Sequence, residues 1–215
     1  MSSRRWVSRV LLYRQVLEEL QAAGRGAVSS AELAEAAGCT AEIVRRDLME
    51  IPCSGSPRRG YPVRELLAGI AVVFGAARKM PVALVGLGNL GKAVLGYMTG
   101  AGCPLELRAI FDRAPRVVGK SFGALRCHPI ENLPEVVRDL GVRLGIVAVP
   151  ADQAQAVADL MVSAGISGIL NFAPVRLAVP EGVVLENMNI LSALEAVAWM
   201  TRLAAIARQG APGGQ

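Results

Sequence analysis

Apolar positions in the first sixty residues recur at helical spacing. From Trp6 to Ala23, residues Val7, Val10, Leu11, Leu17 and Leu20 share one stripe, which predicts an amphipathic helix ending at Gly24 and Gly26. Ser29 or Ser30 caps a second helix with Glu32 in its first turn, and AELAEAA carries it to Gly38. Thr40 caps a third, AEIVRRDLMEI, which stops before Pro52. Two short helices parted by Gly38-Cys39-Thr40 have helix-turn-helix spacing, in which the second helix reads duplex DNA. The stretch PCSGSPRRGYPV that follows predicts a wing laying Arg58 and Arg59 along phosphates or into a minor groove. An ordinary interdomain loop is the blander alternative.

The pattern then changes. Leu66 to Ala77 (LLAGIAVVFGAA) is apolar but far short of the roughly 20 residues that cross hydrocarbon, so it predicts a buried helix and no membrane association. From Pro81, apolar runs at 82–86, 105–112, 144–150 and 167–172 alternate with helices from about Leu87, near 132–140 and over 151–164. That alternation predicts an α/β fold, a doubly wound parallel sheet covered on both faces. A last helix, Ser192 to Arg208 with Ser192 as its cap, is apolar around too much of its circumference to face water, and is most economically covered by a second subunit. The expected layout is a winged-helix unit with linker at 1–78, a Rossmann unit at 79–190, a dimerisation helix at 191–209 and a disordered tail at 210–215.

Composition narrows the function classes. An apolar share of 53% against 19% charged residues excludes disorder as the main state. Within residues 45–64, Arg45, Arg46, Arg58, Arg59 and Arg64 stand against Asp47 and Glu50, a basic segment able to meet phosphate in a chain of net charge +5. Cys39, Cys53, Cys103 and Cys127 lie far apart, which suits a reducing cytoplasm and inert structural thiols. The single histidine, His128, excludes a multi-histidine metal centre and argues against Ser-His-Asp hydrolysis; it is expected in a loop with no special part. The N-terminus lacks the apolar stretch of a secretory signal, so a cytoplasmic location is expected.

Gly86-Leu87-Gly88-Asn89-Leu90-Gly91 reads G-x-G-x-x-G, directly after an apolar strand and at the start of a helix. Gly86 permits the tight turn, Gly88 lets a pyrophosphate approach the backbone, and Gly91 lets helix and strand pack closely. Asp112 ends the next strand, placed to accept bonds from adenosine ribose hydroxyls. That carboxylate favours NAD over NADP, whereas Arg113 and Arg116 beside it blur the preference. Ala148-Val149-Pro150 and Asn171-Phe172-Ala173-Pro174 end later strands on the same sheet edge and are candidate nicotinamide neighbours. Neither loop holds a His, Lys or Tyr to carry a proton, so the sequence reads as cofactor binding without turnover.

The strings VRRDL, RRGYPV, GLGNLG, PADQAQ, AGISGILNFAPV and LENMNI make the chain resemble the Rex family of bacterial redox-sensing repressors along nearly its whole length. The resemblance implies a homodimer with exchanged C-terminal helices, NADH and NAD competing for the Rossmann site, and an inverted-repeat operator of double-stranded DNA. It places Thr40, Val44, Arg45, Arg46 and Asp47 on the recognition helix and Gly60 and Tyr61 at the end of the wing, with Thr40, Val44, Gly60 and Tyr61 expected among the DNA contacts and Arg45 and Arg46 the foremost of them. Tyr97 falls on a tyrosine that helps read the nicotinamide state, and Arg9 on a first-helix arginine. The chain departs from the pattern twice. Met49-Glu50-Ile51-Pro52 replaces the usual Ser-Tyr-Phe-Gly, which implies altered operator choice. Asn189-Ile190 replaces an Asp-Phe pair whose aspartate exchanges partners during the switch, which implies a weakened NADH response. Two other readings compete: an NAD-dependent dehydrogenase-like enzyme, and a paralogue that has lost DNA binding and pairs with an intact relative.

Overall fold

The computed structural model describes residues 4–56, 60–75, 79–98 and 105–209. Arg58, Arg59, Cys103 and the tail at 210–215 lie outside the described residues. The chain divides into two units, Met1–Arg78 and Lys79–Gln215.

In the first unit, α1 (Arg4–Ala22) buries Trp6, Val10, Tyr13 and Leu17. The face is rotated from the expected stripe, leaving Leu11 exposed. Turning Trp6 and Tyr13 inward removes more apolar area from water than Leu11 offers, and that decides the rotation. After β1 (Ala27–Val28), α2 (Ser30–Ala36) starts with a complete capping box: Glu32 N–H donates to Ser29 Oγ at 3.2 Å, and Ser29 N–H donates to Glu32 Oε2 at 2.8 Å. The Ser29 N–H, Arg25 at 2.8 Å from Oε1 and the Ser29 hydroxyl at 2.8 Å from Oε2 all donate to the Glu32 carboxylate and hold it down to about 2. Helix α3 (Ala41–Leu48) ends three residues earlier than expected, and Ile51 turns into the core beyond it. Strand β2 (Tyr61–Pro62) pairs antiparallel with β1, and Ser56 and Gly60 exchange backbone bonds of 3.2 and 2.9 Å at the base of the wing. The apolar run beyond forms α4 (Val63–Val73), which buries Val63, Leu66 and Ile70 against α1.

In the second unit the strands are β3 (Met80–Val85), β4 (Leu105–Asp112), β5 (Ser121–Phe122), β6 (Leu125–Pro129), β7 (Leu144–Val147), β8 (Gly168–Asn171) and β9 (Val184–Asn187). They form one sheet in the order β5-β6-β4-β3-β7-β8-β9, parallel except for the β5–β6 hairpin. The helices are α5 (Asn89–Met98), α6 (Leu133–Asp139), which a short 3-10 turn at Ile130–Asn132 precedes, α7 (Ala151–Ser163) and α8 (Ile190–Gln209). Alternate residues of β3 feed opposite faces: Ala83 and Val85 join the core with Leu133, Ala158 and Met161, while Val82 and Leu84 pack with Leu87, Ile110 and Ile146. The chain runs outward from β3 to one edge, then returns to β7 and proceeds to the other. Strands β3 and β7 therefore flank the reversal point where doubly wound sheets open a ligand crevice. His128 sits in β6 rather than in a loop, its ring 5.7 Å from that of Phe111.

Candidate functional site

The glycine turn between β3 and α5 has three distinct environments. Gly86 adopts φ +97°, and a Cβ there would lie 2.5 Å from the Ala148 carbonyl oxygen. A Cβ on Gly91 would overlap the Gly86 carbonyl oxygen. Gly88 has nothing within 4 Å of its Cβ position. Two glycines are thus fixed by the close approach of turn, helix and β7, and the third leaves its backbone open to a ligand. Asp112 ends β4 and braces the turn, accepting from Leu87 N–H and from Ala114 N–H at 2.7 Å each.

Beside this turn lies a cavity of about 580 Å³, the size of a small-molecule site. Gly86, Leu87, Gly88, Asp112, Arg113, Arg116, Ala148, Val149 and Pro150 line it, together with Asp152, Gln153, Ile130, Val157 and Leu160. Asn89 and Leu90 open α5 beside the cavity, and Gly91 lies buried beneath it.

The loop after β8 departs from expectation. Asn171 is fully buried and spends its amide inside the fold: Nδ2 donates to Val175 O at 2.7 Å and to Asn187 Oδ1 at 2.9 Å, and Oδ1 accepts from Ala173 N–H at 2.9 Å. A buried amide must find such partners, so Asn171 shapes the loop and ties β8 to β9 instead of facing the cavity. Phe172 packs with the core under α5, Ala173 is buried, Pro174 is exposed, and none of them lines the cavity. Tyr97 on α5 is 85% exposed and also stands outside it. Beneath the site, burial and the nearby Asp112 charge push the Cys127 thiol up to about 11, which keeps it protonated and unreactive.

In the first unit, Thr40 caps α3, its Oγ1 accepting from Ile43 N–H at 3.4 Å. Arg46 projects outward with its side chain 76% exposed, 3.9 Å from Glu42. Arg45 is half-buried, its guanidinium donating to Ser30 Oγ at 3.4 Å. Val44 and Tyr61, expected among the DNA contacts, are both buried in the core; each is apolar enough that packing outcompetes any exposed role. Gly60 closes the base of the wing. Asp47 points inward as well. Its carboxylate accepts from Arg9 Nε and Nη2 at 2.7 Å each and from the Tyr13 hydroxyl at 2.8 Å. Asp47 holds Arg9 protonated well above the usual arginine range, and burial followed by the Asp47 bond raises the Tyr13 phenol. Sequence reasoning missed this cluster. The available signal was a carboxylate three residues from Val44 on the apolar face of α3, opposite an i, i+4 Arg-Tyr pair.

The CoA binding domain family matches residues 77–175, and a family described as a DNA-binding protein N-terminus matches residues 3–48. The redox-sensing transcriptional repressor Rex of Thermus thermophilus is 40% identical over 188 residues, 87% of this chain and 88% of its own. Its counterpart in Pelotomaculum thermopropionicum is 38% identical over 189 residues, 88% of this chain and 89% of its own. The chain belongs to the Rex family. Among solved structures, that of RSP, a Rex-family repressor, covers 97% of this chain and 99% of its own at 31% identity, with a TM-score of 0.88. RSP is also solved with β-NADH, and with β-NAD+ and operator DNA, each at a TM-score of 0.85.

Against that family background, α8 and its cap are informative. Asn189, not Ser192, caps the helix: its Oδ1 accepts from Ser192 N–H at 3.0 Å. Asn189 and Ile190 are exposed and do not line the cavity. Leu191, Leu194, Val197, Trp199, Met200, Leu203 and Ile206 are each more than half exposed. The helix does not bury its apolar surface within its own unit.

Proposed function

We propose that this Rex-family chain is a redox-sensing transcriptional repressor. It binds operator DNA through its first unit, binds NAD(H) in the cavity of its second, and works as a homodimer. The carrying observation is that one chain joins a capped helix-turn-helix to a glycine turn braced by Asp112, in a fold that RSP shares both with NADH and with NAD+ and operator DNA. The turn fits the dinucleotide, because Gly88 leaves its backbone clear where a pyrophosphate needs the α5 amides. Asp112 would take the ribose hydroxyls, and Ala148, Val149 and Pro150 would wall the approach to the nicotinamide. When bound, the cofactor supplies only its redox state as a signal.

The cavity offers ligand binding rather than turnover. Its titratable lining groups are Asp112, Arg113, Arg116 and Asp152, and Asp112 is already engaged by two backbone amides. The curated relatives carry the name repressor. On the DNA side, Arg46 and Arg45 meet the duplex, while Arg58 and Arg59 of the wing would lie along its phosphates. A second copy of the chain covers the apolar α8, as expected from exchanged C-terminal helices, and the role in transcription places the protein in the cytoplasm.

The NADH response is weakened. A ligand shifts a conformational equilibrium only by its differential affinity for the two states, and neutral Asn189 offers no charge to a switching arginine. Its oxygen caps α8, while Arg9 is paired in its own unit with Asp47. Titrating an inverted-repeat duplex complex with NADH by fluorescence anisotropy tests both points. We expect DNA binding by the dimer and release only at high NADH; release at low micromolar NADH, suppressed by NAD+, would overturn the weakened switch. Absence of any DNA or dinucleotide binding would overturn the whole reading.

A further inference from the structure

A second cavity of about 480 Å³ opens on the other side of the glycine turn. It shares Leu87, Gly88, Arg116 and Val117 with the first, and Lys92 and Lys120 complete its charged lining with no carboxylate among the residues around it. Lys92 sits in the first turn of α5, and Lys120 precedes the β5–β6 hairpin. Among the described residues neither lysine, nor Arg113 or Arg116, has an ion-pair or side-chain hydrogen-bond partner, although other arginines such as Arg9, Arg25 and Arg108 do. Several cations held together without counter-charge favour an anion bound among them. The shared residue Leu87 donates its N–H to Asp112, so this cavity begins one residue from where the adenosine ribose would sit.

We propose that this second cavity is a subsite for a phosphomonoester on the adenosine ribose, so that the chain takes phosphorylated adenine nucleotides as well as NAD(H). The proposal rests on the reading of the first cavity as a dinucleotide site. Asp112 alone would repel such a phosphate, but both its oxygens accept backbone N–H bonds, which offsets its charge locally, and the cations beyond it outnumber it. Lysines suit the role, since a phosphomonoester is a compact dianion that an ammonium meets as a point charge.

The test compares two matched pairs by isothermal titration calorimetry on the full-length protein: NADPH against NADH, and coenzyme A against its dephospho form. The first pair reads a 2′-phosphate and the second a 3′-phosphate. The readout is the affinity ratio within each pair, in the wild type and in a Lys92→Ala/Lys120→Ala double variant. Both lysines are exposed, and an NADH affinity within about threefold of wild type verifies the fold. We expect the ratio of at least one pair to fall by about tenfold or more in the variant. A smaller change in both pairs, with NADH still bound, overturns the phosphate subsite alone. Failure of the wild type to bind NADH overturns the dinucleotide site beneath it.

Discussion

Replacing Asp47 with Asn tests whether this residue is a structural brace or part of the DNA-reading surface. In the structure its carboxylate is 4% exposed and takes three donors, two from Arg9 at 2.7 Å and the Tyr13 hydroxyl at 2.8 Å. A charge-assisted bond contributes about 1.5–3 kcal/mol and a neutral one about 1 kcal/mol. Asparagine keeps the volume, but it loses the charge and turns one acceptor into a donor facing Arg9 or Tyr13. Summed naively, that is a loss of about 2–6 kcal/mol. Arg9 is 23% exposed and can recover some hydration, so we expect the first unit to lose about 2–4 kcal/mol. The assay is urea unfolding in a Trp199→Phe background, which leaves Trp6, 5% exposed in α1, as the single tryptophan reporting on that unit. A double-mutant cycle with Arg9→Met should return a coupling of at least about 1 kcal/mol. The reasoning fails if Asp47→Asn unfolds within about 0.5 kcal/mol of its parent while DNA affinity changes, because Asp47 would then act at the duplex and not in the core.

The same cluster gives a pH dependence. Tyr13 is raised above its ordinary value of 10.0, so the unfolded chain releases that proton first; stability is intact below about pH 10 and falls as pH rises beyond it, a slope that Tyr13→Phe should remove from urea midpoints. Gly91→Ala drives a methyl into the Gly86 carbonyl and should cost at least about tenfold in NADH affinity by calorimetry, with DNA binding retained. Leu194→Asp places a charge in the exposed apolar surface of α8 and should convert the dimer to monomer in sedimentation velocity; an unchanged dimer would place the interface elsewhere.

What was readable in the sequence was what short-range chemistry decides. The capping box of Ser29 and Glu32, the Thr40 cap, and the glycine turn after an apolar strand each depend on residues within a few positions of one another. What escaped depended on partners distant in the chain. The direction of Asp47 is set by Arg9 and Tyr13, 38 and 34 residues away, and that of Asn171 by Asn187 on the neighbouring strand. The rotation of α1 is not legible from a stripe of aliphatic residues, because Trp6 and Tyr13 have rings that bury more area. Asn189 and Ser192 are both acceptable cap residues by type; the backbone geometry alone chose the first.

The inward turn of Asp47 also defines what α3 can present to DNA. With Val44, Asp47 and Leu48 buried, the helical period sends Glu42, Arg46 and Met49 to the opposite side, where Arg46 is 76% and Met49 86% exposed. The pair between Glu42 and Arg46 spans 3.9 Å between well-exposed groups, contributes at most a few tenths of a kcal/mol, and yields readily to a phosphate or a guanine edge. The residue at 49, where the family pattern carries a serine, therefore stands one turn beyond Arg46 on the outer stripe. A thioether there offers apolar contact, such as with a thymine methyl, and no hydrogen bond. If this face meets the duplex, the placement of Met49 on it would alter operator choice, and the Arg9–Asp47 pair would hold that face in register.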